Sequence, residues 1–199
     1  MKPIPVPIAL AEPAATAVPA VRDTSRLTEE ARFEQIYVAE FAFVWRCLRS
    51  LGVRDGELDD AAQEVFVAVH RGLSSFRADA TIRTWLFGIV RNVAFKQRRR
   101  FARKPPGTDA APPDPPAPGP SPLERAQEQE AAGFVRAFLA RQNEKKREVF
   151  VLAVLEGMNI PDVAEALSIP LNTAYTRLRS VRTDFHKALA RRREGDDRS

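Results

Sequence analysis

Residues 144–182 read EKKREVFVLAVLEGMNIPDVAEALSIPLNTAYTRLRSVR, and their periodicity decides the fold: two short helices meeting at a corner, with arginines along the second. Asn159 is placed to accept from backbone N–H groups as an N-cap, and the first helix runs through Pro161 and Asp162 to Leu167. Ser168, Ile169 and Pro170 then interrupt the pattern, because Pro170 disfavours the α conformation at Ile169. Asn172 is expected to cap a second helix that starts at Thr173 and passes Arg182. Val163, Ala164, Leu167, Ile169, Ala174, Leu178 and Val181 would close the angle between the helices. Tyr175, Thr176, Arg177, Arg179, Ser180 and Arg182 are left for the outer faces of the second. A helix of this kind fits the major groove of DNA, where arginine pairs two donors with guanine. The blander alternative is an ordinary bundle corner with solvated arginines.

Charge is distributed unevenly along the 199 residues. The chain carries a net +5, yet residues 23–66 hold ten acids against five bases. Residues 83–104 hold eight bases and no acid, and residues 175–193 hold seven bases and one acid. Two basic segments behind an acidic front imply two contacts to nucleic acid and one to another partner. Cys47 stands alone on an apolar helix, which excludes a disulfide framework and suits a small buried hydrophobe. One cysteine with the distant His70 and His186 does not make a zinc site, so no metal and no cofactor are expected. Nothing pairs a nucleophile with a base, no glycine-rich phosphate loop occurs, and no catalytic residue is assigned. No apolar run reaches membrane-spanning length, and prolines 3, 5, 7, 13 and 19 break up the N-terminus, which argues against a signal peptide and for a cytoplasmic protein.

The pattern predicts an all-α chain of two small helical domains. Residues 1–25 read as a disordered Pro/Ala-rich tail, 26–103 as the first domain, 104–123 as a linker, 124–193 as the second domain and 194–199 as a short disordered tail. In the first domain a helix from Thr28 to about Leu51 places Phe33, Ile36, Tyr37, Phe41, Val44 and Leu48 on one face, and Gly52 ends it. A second helix starts near Asp55–Glu57 and carries Leu58, Ala61, Ala62, Val65, Phe66, Val69 and Leu73 on its stripe, with Asp59, Asp60, Gln63, Glu64 and Val67 opposite. The third spans about Ile82 to Arg99: Ile82, Trp85, Leu86, Ile89 and Val93 inward, Arg83, Arg91, Asn92 and Lys96 outward. Nine of the eighteen residues from Pro105 to Pro122 are proline, which makes a semi-rigid spacer. It could span about 50 Å, so the two domains need not touch.

At these residues the chain resembles the extracytoplasmic-function group of bacterial RNA polymerase sigma factors. LDDAAQEVFVAVHRGLSSFR (58–77) followed by TIRTWLFGIVRNVAFKQRRR (81–100) is similar to the second conserved region of that group, and residues 147–182 are similar to the fourth. The resemblance implies a non-enzymatic subunit that binds core RNA polymerase through Asp59, Asp60, Gln63 and Glu64 and directs it to promoter DNA. It implies that Phe76, Arg77, Asp79, Ala80, Thr81, Arg83 and Asn92 read the minus-ten segment. Thr173, Tyr175, Thr176, Arg177, Arg179, Ser180 and Arg182 would read the minus-thirty-five segment. Trp85 fits a core role better than base stacking, whereas Phe76 suits a loop anchor and a base contact about equally. Arg98, Arg99, Arg100, Arg103 and Lys104 would attract backbone phosphates. Two departures stand out: Tyr175 replaces a commonly basic residue, and Gln142–Asn143 replaces a Leu-Pro turn, with Asn143 able to cap the next helix. The partner set leaves room for an anti-sigma factor. The competing reading is a stand-alone helix-turn-helix repressor or activator whose front domain senses a signal or dimerises.

Overall fold

The computed structural model describes residues 28–76, 80–102 and 122–196, and these form seven α-helices with no strand among them. The chain runs α1 (Glu29–Ser50), α2 (Leu58–Gly72), α3 (Ile82–Ala102), α4 (Pro122–Arg141), α5 (Glu144–Phe150), α6 (Ile160–Ala166) and α7 (Leu171–Asp196). No helix among the described residues is long and apolar enough to cross a membrane.

Local chemistry sets most of the boundaries. The Thr28 hydroxyl accepts from the Ala31 N–H at 3.3 Å, with Glu29 and Glu30 in the first turn of α1. Gly52 follows the last turn at φ +92°, a left-handed conformation that glycine adopts without strain, and the Val53 N–H then closes on the Leu48 carbonyl at 3.1 Å. Asn143 caps α5 through the Lys146 N–H at 2.9 Å, and Asn159 caps α6 through the Asp162 N–H at 2.9 Å. After Phe150 the helix widens into a π-helical turn, Val151–Leu155.

One core runs through the molecule. Phe43, Val44, Leu48, Leu58, Val65, Leu86, Phe87 and Val90 fill the α1–α3 bundle, and Val149, Phe150, Leu152, Val163 and Val181 fill α4–α7. Phe138, Phe150 and Phe185 pack as a ring trio with centroids 5.0–5.3 Å apart. Cys47 is fully buried, and burial pushes its thiol well above the ordinary range, which fits its expected role as a small hydrophobe.

The two bundles pack against each other, whereas the spacer had left them free to stand apart. α6 packs on α3, and the π-helical turn packs on α1. Arg46 on α1 grips Glu156 with two hydrogen bonds, Nε to Oε1 at 3.0 Å and Nη2 to Oε2 at 2.7 Å. Arg98 on α3 reaches Glu144 at 3.2 Å, and Arg91 lies 3.8 Å from Glu148. Arg147 is buried and donates to three carbonyl oxygens at the end of α4, those of Leu139, Ala140 and Gln142 at 2.9, 3.4 and 3.1 Å. The guanidinium thus caps the C-terminus of α4, sharing the Leu139 carbonyl with the Gln142 N–H, and a further donor crosses to the Leu51 carbonyl at 3.4 Å. Polar side chains, invisible to hydrophobic periodicity, add to the shared apolar core in joining the two halves.

Several boundaries and faces differ from expectation. Asn172 is not the cap of the last helix: α7 begins at Leu171, and the Pro170 carbonyl accepts from the Thr173 and Ala174 N–H groups at 2.9 and 3.1 Å. A proline with fixed φ already starts the turn, so no capping side chain is required. α7 runs to Asp196, so residues 194–196 are helical, and α4 takes in the last two residues assigned to the linker, Pro122 and Leu123. The expected N-terminal tail and most of the expected linker lie outside the described residues. On α1, Tyr37 and Phe41 are exposed, because α2 covers only part of that apolar face.

Candidate nucleic-acid and partner interfaces

Three surfaces gather the candidate residues. On α2, Asp59, Asp60 and Gln63 are exposed, while Ala61, Ala62, Val65 and Phe66 are buried, with Asp59 and Gln63 at the edge of that stripe. Glu64 does not share their freedom. Its carboxylate accepts from Lys96 Nζ at 2.6 Å and from Gln97 Nε2 at 3.3 Å, which ties α2 to α3. Beside Asp59 and Gln63 opens a groove of ≈ 580 Å³ lined by Phe33, Tyr37, Phe41, Phe66, Val67 and His70. Charge periodicity could not find these rings as a surface, since they read as core.

The second surface is the start of α3 and the loop before it. Phe76 packs on Trp85 with centroids 4.9 Å apart, and the Arg32 guanidinium sits 5.6 Å from the Phe76 centroid. Phe76 is therefore a loop anchor in this arrangement, and Trp85 packs partly against the core. Gly72 permits this: a Cβ there would stand 3.1 Å from the Trp85 ring. Thr81 caps α3, its hydroxyl oxygen accepting from the Thr84 N–H at 3.2 Å, and Ala80 beside it is half-buried. Arg77 and Asp79 lie outside the described residues. Asn92 faces out as expected. Arg83 does not: it donates to the buried Glu40 at 2.8 Å and lies over the Phe43 ring at 5.1 Å. Arg91 is likewise turned toward Glu148. Sequence reasoning missed Glu40 because a carboxylate on an apolar face carries no periodic signal; a basic residue searched for on a neighbouring helix would have found it.

The third surface is the first half of α7. Ala174, Leu178 and Val181 are buried against α6, whose Val163, Ala164 and Leu167 complete the corner, with Ile169 half-buried. Tyr175 is 53% exposed, and Thr176, Arg179 and Arg182 are exposed. Thr173, Arg177 and Ser180 are half-buried. The Thr176 hydroxyl donates to the Asn172 carbonyl at 2.8 Å. Arg177 points to the α5 side, where its charge helps hold down the Glu148 carboxyl against the burial that pushes it up.

Known proteins match this chain in the same places. The family described as Sigma-70 region 2 matches residues 36–104, and Sigma-70, region 4 matches residues 135–185. The first match runs from within α1 through α3 and the second includes the helix-turn-helix, in that order. The chain is 30% identical over 146 residues to RNA polymerase sigma factor NccH of Alcaligenes xylosoxydans xylosoxydans, covering 71% of this chain and 77% of that one. This chain belongs to the extracytoplasmic-function group of RNA polymerase sigma factors. The ECF RNA polymerase sigma factor SigM of Mycobacterium tuberculosis (strain ATCC 25618 / H37Rv) is 28% identical over 159 residues, 79% of this sigma factor and 76% of SigM. Among solved structures, CnrH in complex with the cytosolic domain of CnrY aligns with a TM-score of 0.62 at 25% identity, over 81% of this chain and 89% of that one. The sigma factor RpoE of Bartonella quintana, in complex with the anti-sigma factor NepR, shares the fold with a TM-score of 0.63 over 80% and 97% of the two chains at 20% identity. As a sigma factor, the protein directs RNA polymerase to promoters for transcription initiation. Its family is one of transcription regulators, and nothing in these similarities favours a stand-alone repressor.

Proposed function

We propose that the α2 face of Asp59, Asp60 and Gln63 docks core polymerase, that the loop before α3 and the start of that helix read the minus-ten segment, and that the first half of α7 reads the minus-thirty-five segment. The observation that carries this division is the exposure of polar side chains on both bundles beside and opposite well-packed stripes, Asp59 and Asp60 on α2 and Tyr175, Thr176 and Arg179 on α7. On this reading Glu64 fixes α2 to α3 and Arg83 fixes α3 to α1, so both hold the reading elements in place. Thr81 and Asn92, both exposed, stand near the melted strand on this reading. Tyr175, Thr176 and Arg179 reach base edges, while Thr173, Arg177, Ser180 and Arg182 flank them toward the phosphates.

The protein acts in the cytoplasm with polymerase, has no catalytic activity of its own, and is held in check by a protein inhibitor of the anti-sigma kind; RpoE, solved with the anti-sigma factor NepR, supports that last reading. Run-off transcription with purified core polymerase and a promoter library tests the assignment. Transcripts should appear only when chain and core are combined. Tight duplex binding by the chain alone, without stimulation by core, would favour the repressor reading.

A further inference from the structure

An aromatic groove stays open on the first bundle. Phe33, Tyr37 and Phe41 recur at every fourth position of α1, one helical turn apart, and meet Phe66 of α2. Centroids stand 4.7 Å apart for Tyr37 and Phe66, and 5.9 Å apart for the stacked Phe41 and Phe66. His70 meets Phe33 at 5.2 Å. Tyr37, Phe41 and Val67 remain 42%, 37% and 43% exposed around a space of ≈ 580 Å³. Asp59 and Gln63 stand on its lining as well. Rings grouped in this way and left open to water mark a contact surface.

A segment of matching chemistry precedes α1 in the same chain. Residues 3–10 read PIPVPIAL, where Pro3, Pro5 and Pro7 alternate with Ile4, Val6 and Ile8 ahead of Leu10. Proline-rich stretches dock on aromatic-lined grooves because fixed φ angles lower the cost of ordering an extended backbone. Alternate side chains of an extended backbone repeat about every 6–7 Å. Rings four residues apart on a helix rise about 6 Å per step, so the two rows keep pace. Lys2 flanks the segment, no acid occurs before Glu12, and Asp59 on the groove supplies the opposite charge. The seventeen residues 11–27 join the segment to Thr28, and Phe41 lies thirteen residues further on. A coil of that length spans about 23 Å. The helix rises about 20 Å from Thr28 to Phe41. A tether matched to its span gives the highest effective concentration.

We propose that residues 3–10 dock in the groove between α1 and α2 of their own chain and cover Asp59 and Gln63, so that this segment and core polymerase compete for the α2 face. The competition rests on the reading of that face as the core-docking surface. The segment's Ile, Val and Leu side chains cover the rings of Phe33, Tyr37, Phe41 and Phe66, which removes apolar surface from water. Core polymerase displaces the segment when it binds. A groove covered nine-tenths of the time lowers the apparent affinity for core about ten-fold.

Paramagnetic NMR and core-binding titrations on the full chain test the docking. A nitroxide is attached at Ala11→Cys, and Cys47, fully buried, stays unlabelled. Methyl signals of Ala62 and Val67 should broaden, and should recover when Ile4→Asp and Ile8→Asp are added to the labelled chain. Absent broadening, or broadening that survives those two substitutions, would overturn the proposal. Spin-labelled chain mixed with isotope-enriched, unlabelled chain should give no broadening. Broadening in that mixture would assign the groove to a second copy and overturn docking within one chain. Without the label, Ile4→Asp with Ile8→Asp should bind core polymerase about ten-fold more tightly than wild type. Equal affinity would overturn the competition. Asp59→Arg with Asp60→Arg separates the two ideas: unchanged core binding in that variant would refute the α2 reading, while the NMR contact still reports on docking.

Discussion

At the scale of residues, the structure separates acids left exposed to solvent from acids that hold the fold. Asp59 and Asp60 are exposed, and Glu64 is bonded to Lys96 and Gln97. Asp59→Arg with Asp60→Arg should therefore abolish co-purification with core polymerase and leave the melting temperature within a degree or two of wild type. Glu64→Ala should lower thermal stability by about 1 kcal/mol, because Gln97 is buried and loses its acceptor. Glu148 gives a pH signature. Burial pushes its carboxyl up, Arg91 and Arg177 pull it down, and Glu144 and Arg147 flank it on α5. An acid whose folded-state pKa is raised binds a proton more readily folded than unfolded, so its contribution to stability falls as pH rises through the window above the ordinary glutamate range. Urea midpoints of Glu148→Gln and wild type, compared across pH, should diverge in that window, with the wild type losing more stability on the alkaline side. On α7, Arg177 faces Glu148 while Arg179 is exposed. Selection from a randomised upstream element should change preference at one position for Arg179→Ala, at a cost of about 1–3 kcal/mol, and leave it unchanged for Arg177→Ala.

At the scale of elements, the helix-turn-helix depends on its caps and on the ring cluster beneath it. Asn159 both accepts from the Asp162 N–H and donates its amide to the Asp162 carboxylate at 2.9 Å. Asn159→Ala should destabilise the protein by about 1 kcal/mol, read as a lower urea midpoint with an unchanged slope. Phe150→Ala should cost more, about 3–5 kcal/mol, since that ring is 1% exposed and touches both Phe138 and Phe185. The helical boundaries that sequence chemistry specified are those with a side-chain cap or a glycine: Thr28, Gly52, Asn143 and Asn159. It misplaced the start of α7, which begins directly after Pro170 rather than after Asn172.

At the scale of the whole molecule, the seam between bundles sets what proteolysis should show. Cutting between residues 104 and 121 should leave two helical fragments that co-elute at low and at high salt, because a continuous apolar core lies beneath the charged pairs. Gel filtration of the nicked protein at two ionic strengths checks this. The sequence alone determined the all-helical class, the helix-turn-helix corner and most of the buried stripes, because 3.6-residue periodicity and capping chemistry are local. It also exposed the family, through two motifs in order. Only the tertiary structure decided that the bundles touch, that Arg83 belongs to Glu40 and that Arg91 turns toward Glu148. It alone left Tyr37 and Phe41 on a groove. Those outcomes depend on pairs of residues tens of positions apart, and a charge on a helix face looks the same in sequence whether water, DNA or another helix lies opposite.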